Sequence, residues 1–199
     1  METATLADAV PLSQTVRWLD EAIEMIIEFE GKNPQIADNV FIAPNATLLG
    51  DVRVGEGANI WFGAVLRADH GTIIIGPGCS VQDNVTIHVN RGKFTTLDED
   101  VTIGHGATIE GCHIGARSVI GMNAVVLPRA EIGEEVMIAA GSVVTEDTQI
   151  PPRTMAAGSP AKIKKEIGGS ALAWIRRSAP VYHDLRNRYL AEEINHLHS

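Results

Sequence analysis

Aromatic residues are scarce in this chain, at 5% of 199 residues. That excludes a core of stacked rings, so the 45% hydrophobic content must be mostly aliphatic. Cysteine is scarcer still. Cys79 and Cys112 are the two present, without C-x-x-C spacing. This excludes a disulfide framework and a paired-thiolate metal site, and both read as small, reduced core residues. Basic residues are few, 16 against 25 acidic ones, for a net charge of -9. A nucleic-acid partner is thereby excluded, since phosphate binding needs a basic surface. No apolar run reaches the eighteen residues of a membrane span, so no membrane partner is expected. The N-terminus METATLADAV lacks a basic segment followed by an apolar stretch. The expectation is no signal peptide and a cytoplasmic protein.

What the chain has in quantity is aliphatic residues at a fixed interval. From Ile36 they recur in steps of six at Ile42, Leu48, Val54, Ile60 and Leu66. The series resumes after one insertion at Ile75, Val81 and Ile87, and after a second at Leu97, Ile103 and Ile109. One five-residue step leads to Ile114, Ile120, Val126, Ile132, Ile138, Val144 and Ile150. The next position is often glycine, as at Gly55, Gly76, Gly104 and Gly121. A period of six fits neither a helical face nor simple strand alternation. It fits a chain that makes a short strand, turns a corner and repeats. That is a parallel β-helix of hexapeptide repeats, with three hexads in each triangular coil.

The flanks read differently. Ser13 can cap a helix. Val16, Leu19, Ile23 and Ile26 then recur at helical spacing, with Asp20, Glu21 and Glu24 on the polar side. The expectation is an N-terminal extension over 1–24 with a short helix, acting as a packing appendage or as a lid or oligomer contact. Met25 to Phe29 alternate and read as an edge strand opening the solenoid, which spans 25–157. A C-terminal tail and helix over 158–199 should return along one face. Pro180 is expected to split this helical part or to start a second helix. Trp61 and Phe62 fall at an outward position and a corner. They mark either a subunit face or a patch beneath the C-terminal helix.

Counting faces locates the chemistry. Hexads three apart stack on one face, so Arg67, His88 and Glu110 form one ladder, with rungs about 4.8 Å apart. By the same count Asp83 and His105 stack on another face. A solenoid that trimerises side by side would bring the first face against a neighbour's second. His88 and Glu110 of one chain would then meet His105 of the next. Two imidazoles and a third ligand around an open position suit a catalytic zinc, with Asp83 orienting His105. The alternative is that each histidine is an ordinary surface or interface residue. Insertions in a repeat gather on one face. Here they are Asp69-His70-Gly71-Thr72 and Asn90 to Thr96, close to this ladder.

Residues 25–190 resemble the γ-class carbonic anhydrase-like family. The matching stretches are VLRAD (65–69), QDNVTIH (82–88), TIGHG (102–106), GCHIG (111–115) and GSPAKI (158–163). The resemblance implies a left-handed helix, a homotrimer, and zinc at subunit interfaces held by residues matching His88 and His105. It implies an interface pair of Arg67 and Asp83. Gln82 would lie near the metal-bound water, with Asp69 as a neighbouring structural carboxylate. The implied reaction is reversible hydration of carbon dioxide to bicarbonate, a lyase activity.

The chain departs from the family pattern at one ligand. Its third position holds Glu110, in GHGATIEGC, where the family has histidine. His113 lies three residues on, in the shortened hexad, and is expected to point away. A set of His88, His105 and Glu110 suits zinc, and also iron(II) or cobalt. A carboxylate in place of a neutral imidazole adds negative charge at the metal and should slow the reaction. The stretch VNRGKFT has no carboxylate to shuttle protons. His70 can do so, or can be a plain surface histidine. Two other readings stand beside the carbonic anhydrase: a hexapeptide acyltransferase or acyl-CoA thioesterase, and a non-catalytic trimeric scaffold.

Overall fold

The structure is a computed structural model that describes residues 25–192 and 194. The helix expected within 1–24 lies outside the described residues. Ile26, counted at the end of its stripe, belongs instead to the strand Ile26–Ile27, which pairs in parallel with Leu48–Leu49.

From Gln35 onward the chain is a left-handed parallel β-helix. Short strands pair in parallel with the strands one coil away, and the hexad arithmetic sets the register. Leu48, Leu66, Ile87, Ile109, Val126 and Val144 stack on one face. Every aliphatic of the repeat except the end residue Ile36 is buried, most of them at 0–1% exposure. The reason is geometric. One inward side chain per short strand must fill a column with no room for polar atoms, and each buried Ile, Leu or Val contributes about 1.5–3 kcal/mol. Asn39, Asn84, Asp100, Asn123 and Asp147 take the left-handed conformation at corners, which Asn and Asp tolerate better than most residues.

The irregular steps have local causes. Val65–Ile75 is one eleven-residue strand that turns from one face to the next and absorbs the first insertion as a bulge opposite Gly50 and Val52. The second insertion stacks directly on it: the Gly92 amide donates to His70 O at 2.8 Å and the Thr72 amide to Lys93 O at 3.1 Å. Gly71 permits this approach, since a Cβ there would lie 2.4 Å from Lys93 O. At the five-residue step Gly111 adopts φ 54° and donates to Thr95 Oγ1 at 2.9 Å.

The three outer faces differ in kind. One displays Gln35, Arg53, Thr96, His113, Glu131 and Gln149, and is polar. A second is covered by α1 (Gly169–Ala191), whose Ile175 packs with Val119, Met137 and Met155. The third displays Thr47, Val65, Thr86, Thr108, Val125 and Val143, all partly or fully exposed. It carries no charge along this column, and no described element covers it.

One expectation about the C-terminal part is corrected, and one pair of alternatives is decided. Pro180 neither splits α1 nor starts a second helix: it lies inside one continuous 23-residue helix. Pro180 removes one backbone bond, but its neighbours Ile175 and Ala179 are buried against the solenoid and hold the path. Trp61 is not an exposed subunit contact. It is 3% exposed beneath α1, with ring centroids 5.7 Å from Tyr182 and 5.1 Å from Tyr189. Phe62 lies half-buried beside it, 6.0 Å from Tyr189.

Glu135 fastens this helix. It is 1% exposed and accepts hydrogen bonds from Arg176 Nε at 2.6 Å and Arg153 Nε at 2.8 Å. The Arg176 bond is the main cause holding its carboxyl below the usual range, against the opposing effect of burial. A carboxyl depressed on folding adds stability above its unfolded pKa of about 4.3, and loses it as pH falls through the folded value. Glu135→Gln is therefore expected to lose about 2 kcal/mol at neutral pH. That deficit should shrink in acid, measured by urea unfolding at both pH values.

Candidate functional site

The register places Arg67, His88 and Glu110 side by side in consecutive coils, as counted from the sequence. All three sit at the edge of the uncharged face. His88 is gripped from both sides. Its Nδ1 lies 3.2 Å from Glu110 Oε1, and its Nε2 lies 3.1 Å from Asp69 Oδ1. Asp69 is bonded in turn by Arg67. Burial opposes ionisation of Asp69, but the hydrogen bonds from His88 and Arg67 outweigh it and hold its carboxyl below the ordinary range.

This grip has a chemical consequence. A neutral imidazole has one N–H, so it can donate to one carboxylate only. Its other nitrogen then presents a lone pair to the second anion. A proton or a metal cation between them satisfies both. His70 lies close by, its ring centroid 6.1 Å from that of His88.

The second histidine sits at the next corner. His105 Nδ1 lies 2.7 Å from Asp83 Oδ2, and its backbone amide donates to Gln82 Oε1 at 3.1 Å. Its Nε2 faces the hydroxyl of Tyr182 on α1, at 3.4 Å. Sequence reasoning did not single out Tyr182. Its position between Val181 and Leu185, on the apolar stripe of the returning helix, was the available signal. Burial, with the charge of Asp83 second, raises its pKa.

Some expected partners do not meet within one chain. Arg67 pairs with Asp69 and Asp83 with His105, so no Arg67–Asp83 pair forms inside the chain. His113 points away, onto the polar face, with Asp98 and Glu131 each 3.1 Å from its ring nitrogens. Among the described residues no group of three or more His, Cys, Asp or Glu side chains in one chain is placed to hold a metal ion. Asp69 and Glu110 approach opposite nitrogens of His88, so their oxygens do not converge on one point.

Cys79 and Cys112 are free and buried, and burial pushes both thiols up to about 12. They are inert packing residues. No helix among the described residues is long and apolar enough to cross a membrane.

Comparison with known proteins agrees with this architecture. A family described as bacterial transferase hexapeptide (six repeats) matches residues 33–68 and 111–146. Gamma carbonic anhydrase 2, mitochondrial, of Arabidopsis thaliana is 36% identical over 167 residues, covering 81% of this chain and 60% of that protein. The chain thus spans less than two thirds of the plant relative's length. The carnitine operon protein CaiE of Escherichia coli K12 is 38% identical over 160 residues, covering 80% of this chain and 82% of that one. Among solved structures, a Bacillus cereus protein assigned as an acetyltransferase superposes with a TM-score of 0.82 at 40% identity, covering 83% of this chain and 96% of that one. A hexapeptide transferase family protein of Anaplasma phagocytophilum gives 0.81 at 34% identity, covering 83% and 98%. Hexapeptide coils, the stacked site residues and these relatives together make the chain a member of the γ-class carbonic anhydrase-like family of left-handed β-helix proteins.

Proposed function

We propose that the chain forms a cytoplasmic homotrimer that reversibly hydrates carbon dioxide at zinc sites shared between subunits. The uncharged face supports the assembly. It is not covered by α1, and its exposed column of Thr and Val carries no charge, a surface that suits contact with a partner. His88, Asp69 and Glu110 stand at its edge, and His105 stands at the corner on its other side. Side-by-side packing would therefore bring one chain's His88 and Glu110 to its neighbour's His105. Two buried free thiols suit a reducing compartment.

The grip on His88 carries the metal reading. Donation from Nε2 to Asp69 leaves the Nδ1 lone pair free beside Glu110 Oε1. Their separation of 3.2 Å matches the edge of a tetrahedral zinc site, about 3.3 Å from ordinary zinc–ligand distances. His105 is prepared in the same way. Its Nδ1–H is held by Asp83, which leaves Nε2 as the donor. Each imidazole is thus oriented by an aspartate, the usual support of a metal-ligating histidine. Iron(II) and cobalt fit the same donors. Zinc, when bound, supplies Lewis-acid chemistry that acidifies water to a pKa near 7. Gln82 would orient the attacking or departing oxygen, Arg67 would hold Asp69 in place, and His70 would carry protons to solvent.

Protein purified without chelator is expected to carry one zinc per chain, and light scattering to give three times 21.3 kDa. Val125→Glu, placing charge on the uncharged face, should yield monomers and lose the zinc together with it. A metal-free wild-type trimer would leave the scaffold reading in possession of the fold. Acyl transfer or acyl-thioester hydrolysis is the second reading, favoured by the transferase assignment of the two solved relatives. Turnover of an acyl thioester by metal-stripped protein would decide for it.

A further inference from the structure

A groove of about 980 Å³ runs between α1 and the solenoid corner that carries His105. Its walls are apolar. Val119, Met122, Met137 and Met155 come from the solenoid, and Trp174 and Val181 from the helix. Met122, Trp174 and Val181 are each more than half exposed, at 53%, 55% and 59%. Exposed apolar groups of this size on a chain of net charge -9 call for a reason.

The polar groups of the groove supply one. Thr102 is 4% exposed, and its hydroxyl has no hydrogen-bond partner. Gln82, 5% exposed, commits Oε1 to the His105 amide, and its amino group makes no hydrogen bond among the described residues. Arg177 lines the groove about 7.5 Å along the helix from Tyr182, and has no carboxylate partner among the described residues. The chain holds 25 aspartates and glutamates, yet none lines this groove. Donors gather there with no carboxylate to meet them. A buried donor left unmatched is costly, so such a site is built for an acceptor brought by a ligand.

We propose that this groove binds an amphiphilic carboxylate, a medium-chain alkyl or aryl acid. The head group accepts from Gln82, Thr102 and Arg177, and the apolar body lies along the methionines and Trp174. Thioether side chains adapt to bodies of different shape. A small molecule suits the groove better than a macromolecule, because its volume falls in the ordinary range of ligand pockets and two of its donors, Gln82 and Thr102, are buried. The walls come from a single chain, so binding requires neither metal nor trimer. Gln82 and His105 border both this groove and the proposed metal site, but octanoate binding by metal-free protein is read independently of carbon dioxide hydration.

The test is calorimetric titration of the full chain with octanoate, checked by the fluorescence of Trp174. One site per chain is expected, with octanoate about tenfold tighter than octanol, the ratio of a charge-assisted hydrogen bond to a neutral one. Arg177→Glu should weaken octanoate binding about tenfold and so remove that preference. Ala140→Trp, on the exposed rim, should fill the groove and abolish binding of both. The proposal is overturned by absence of saturable octanoate binding, by equal affinity for acid and alcohol, or by octanoate binding that Ala140→Trp leaves intact. If Ala140→Trp instead breaks the trimer and octanoate still binds, the groove belongs to a second copy and the proposal also fails.

Discussion

Chains carrying His88→Ala and chains carrying His105→Ala are each expected to lose all bound zinc, while an equal mixture refolded together regains about a quarter of the wild-type sites. The fraction follows from symmetry. A shared site takes His88 and Glu110 from one chain and His105 from the next around the ring. It is intact only where a His105→Ala chain precedes a His88→Ala chain, one arrangement in about four under random assembly. Nothing in a single chain can produce this recovery, because His88 ends its strand at one edge of the uncharged face and His105 lies at the turn on the other side. Zinc measured by mass spectrometry on the refolded mixture reads the outcome directly. A mixture that stays metal-free while forming trimers means that both histidines serve one chain's site, or none.

Why that arithmetic could be done from sequence is a property of the fold. In a parallel solenoid each strand pairs in register with its copy one coil away, so counting residues is equivalent to measuring positions. Arg67, His88 and Glu110 were found together because hexads three apart must stack, and the two insertions and the five-residue step shift the count without breaking it. The aliphatic column was legible for the same reason, since each inward position admits little else.

The remainder depended on contacts that no period encodes. Trp61 and Phe62 read equally as a subunit face or as a patch beneath the C-terminal helix, because their cover, Tyr182 and Tyr189, comes from the far end of the chain. The path of α1 through Pro180 is set by what Ile175 and Ala179 bury, and by the Arg176–Glu135 bond, rather than by local propensity. Asp69 reaches His88 Nε2 only because the first insertion bulges the strand Val65–Ile75 beside it. Glu135, Arg153 and Arg117 hold the left-handed backbone at corners where Asn or Gly is usual. Their mutual ion pairs, together with Arg176, offset that strain.

Glu110→His is expected to raise the rate of carbon dioxide hydration per bound zinc by about tenfold at neutral pH, with its pH midpoint moving down by about one unit. Two partners were open to Glu110 from sequence: His88 on the adjacent rung, and Arg67 two coils away. The structure gives Arg67 to Asp69 and Glu110 to His88, so no guanidinium neutralises its charge. A carboxylate that joins two imidazoles at zinc brings one negative charge, and that charge opposes the loss of a proton from water nearby. Histidine at the same position supplies a neutral nitrogen and returns that electrostatic pull. The position tolerates the exchange, since Glu110 is partly exposed at the end of the strand Thr108–Glu110, and the new imidazole would lie one rung from that of His88. Both proteins should be loaded with zinc, assayed by stopped flow across pH and normalised to metal content, with zinc affinity measured against a competing chelator. A variant that binds zinc fully, keeps the wild-type pH midpoint and runs no faster would show that the carboxylate is not what limits this protein, and attention would pass to proton removal at His70.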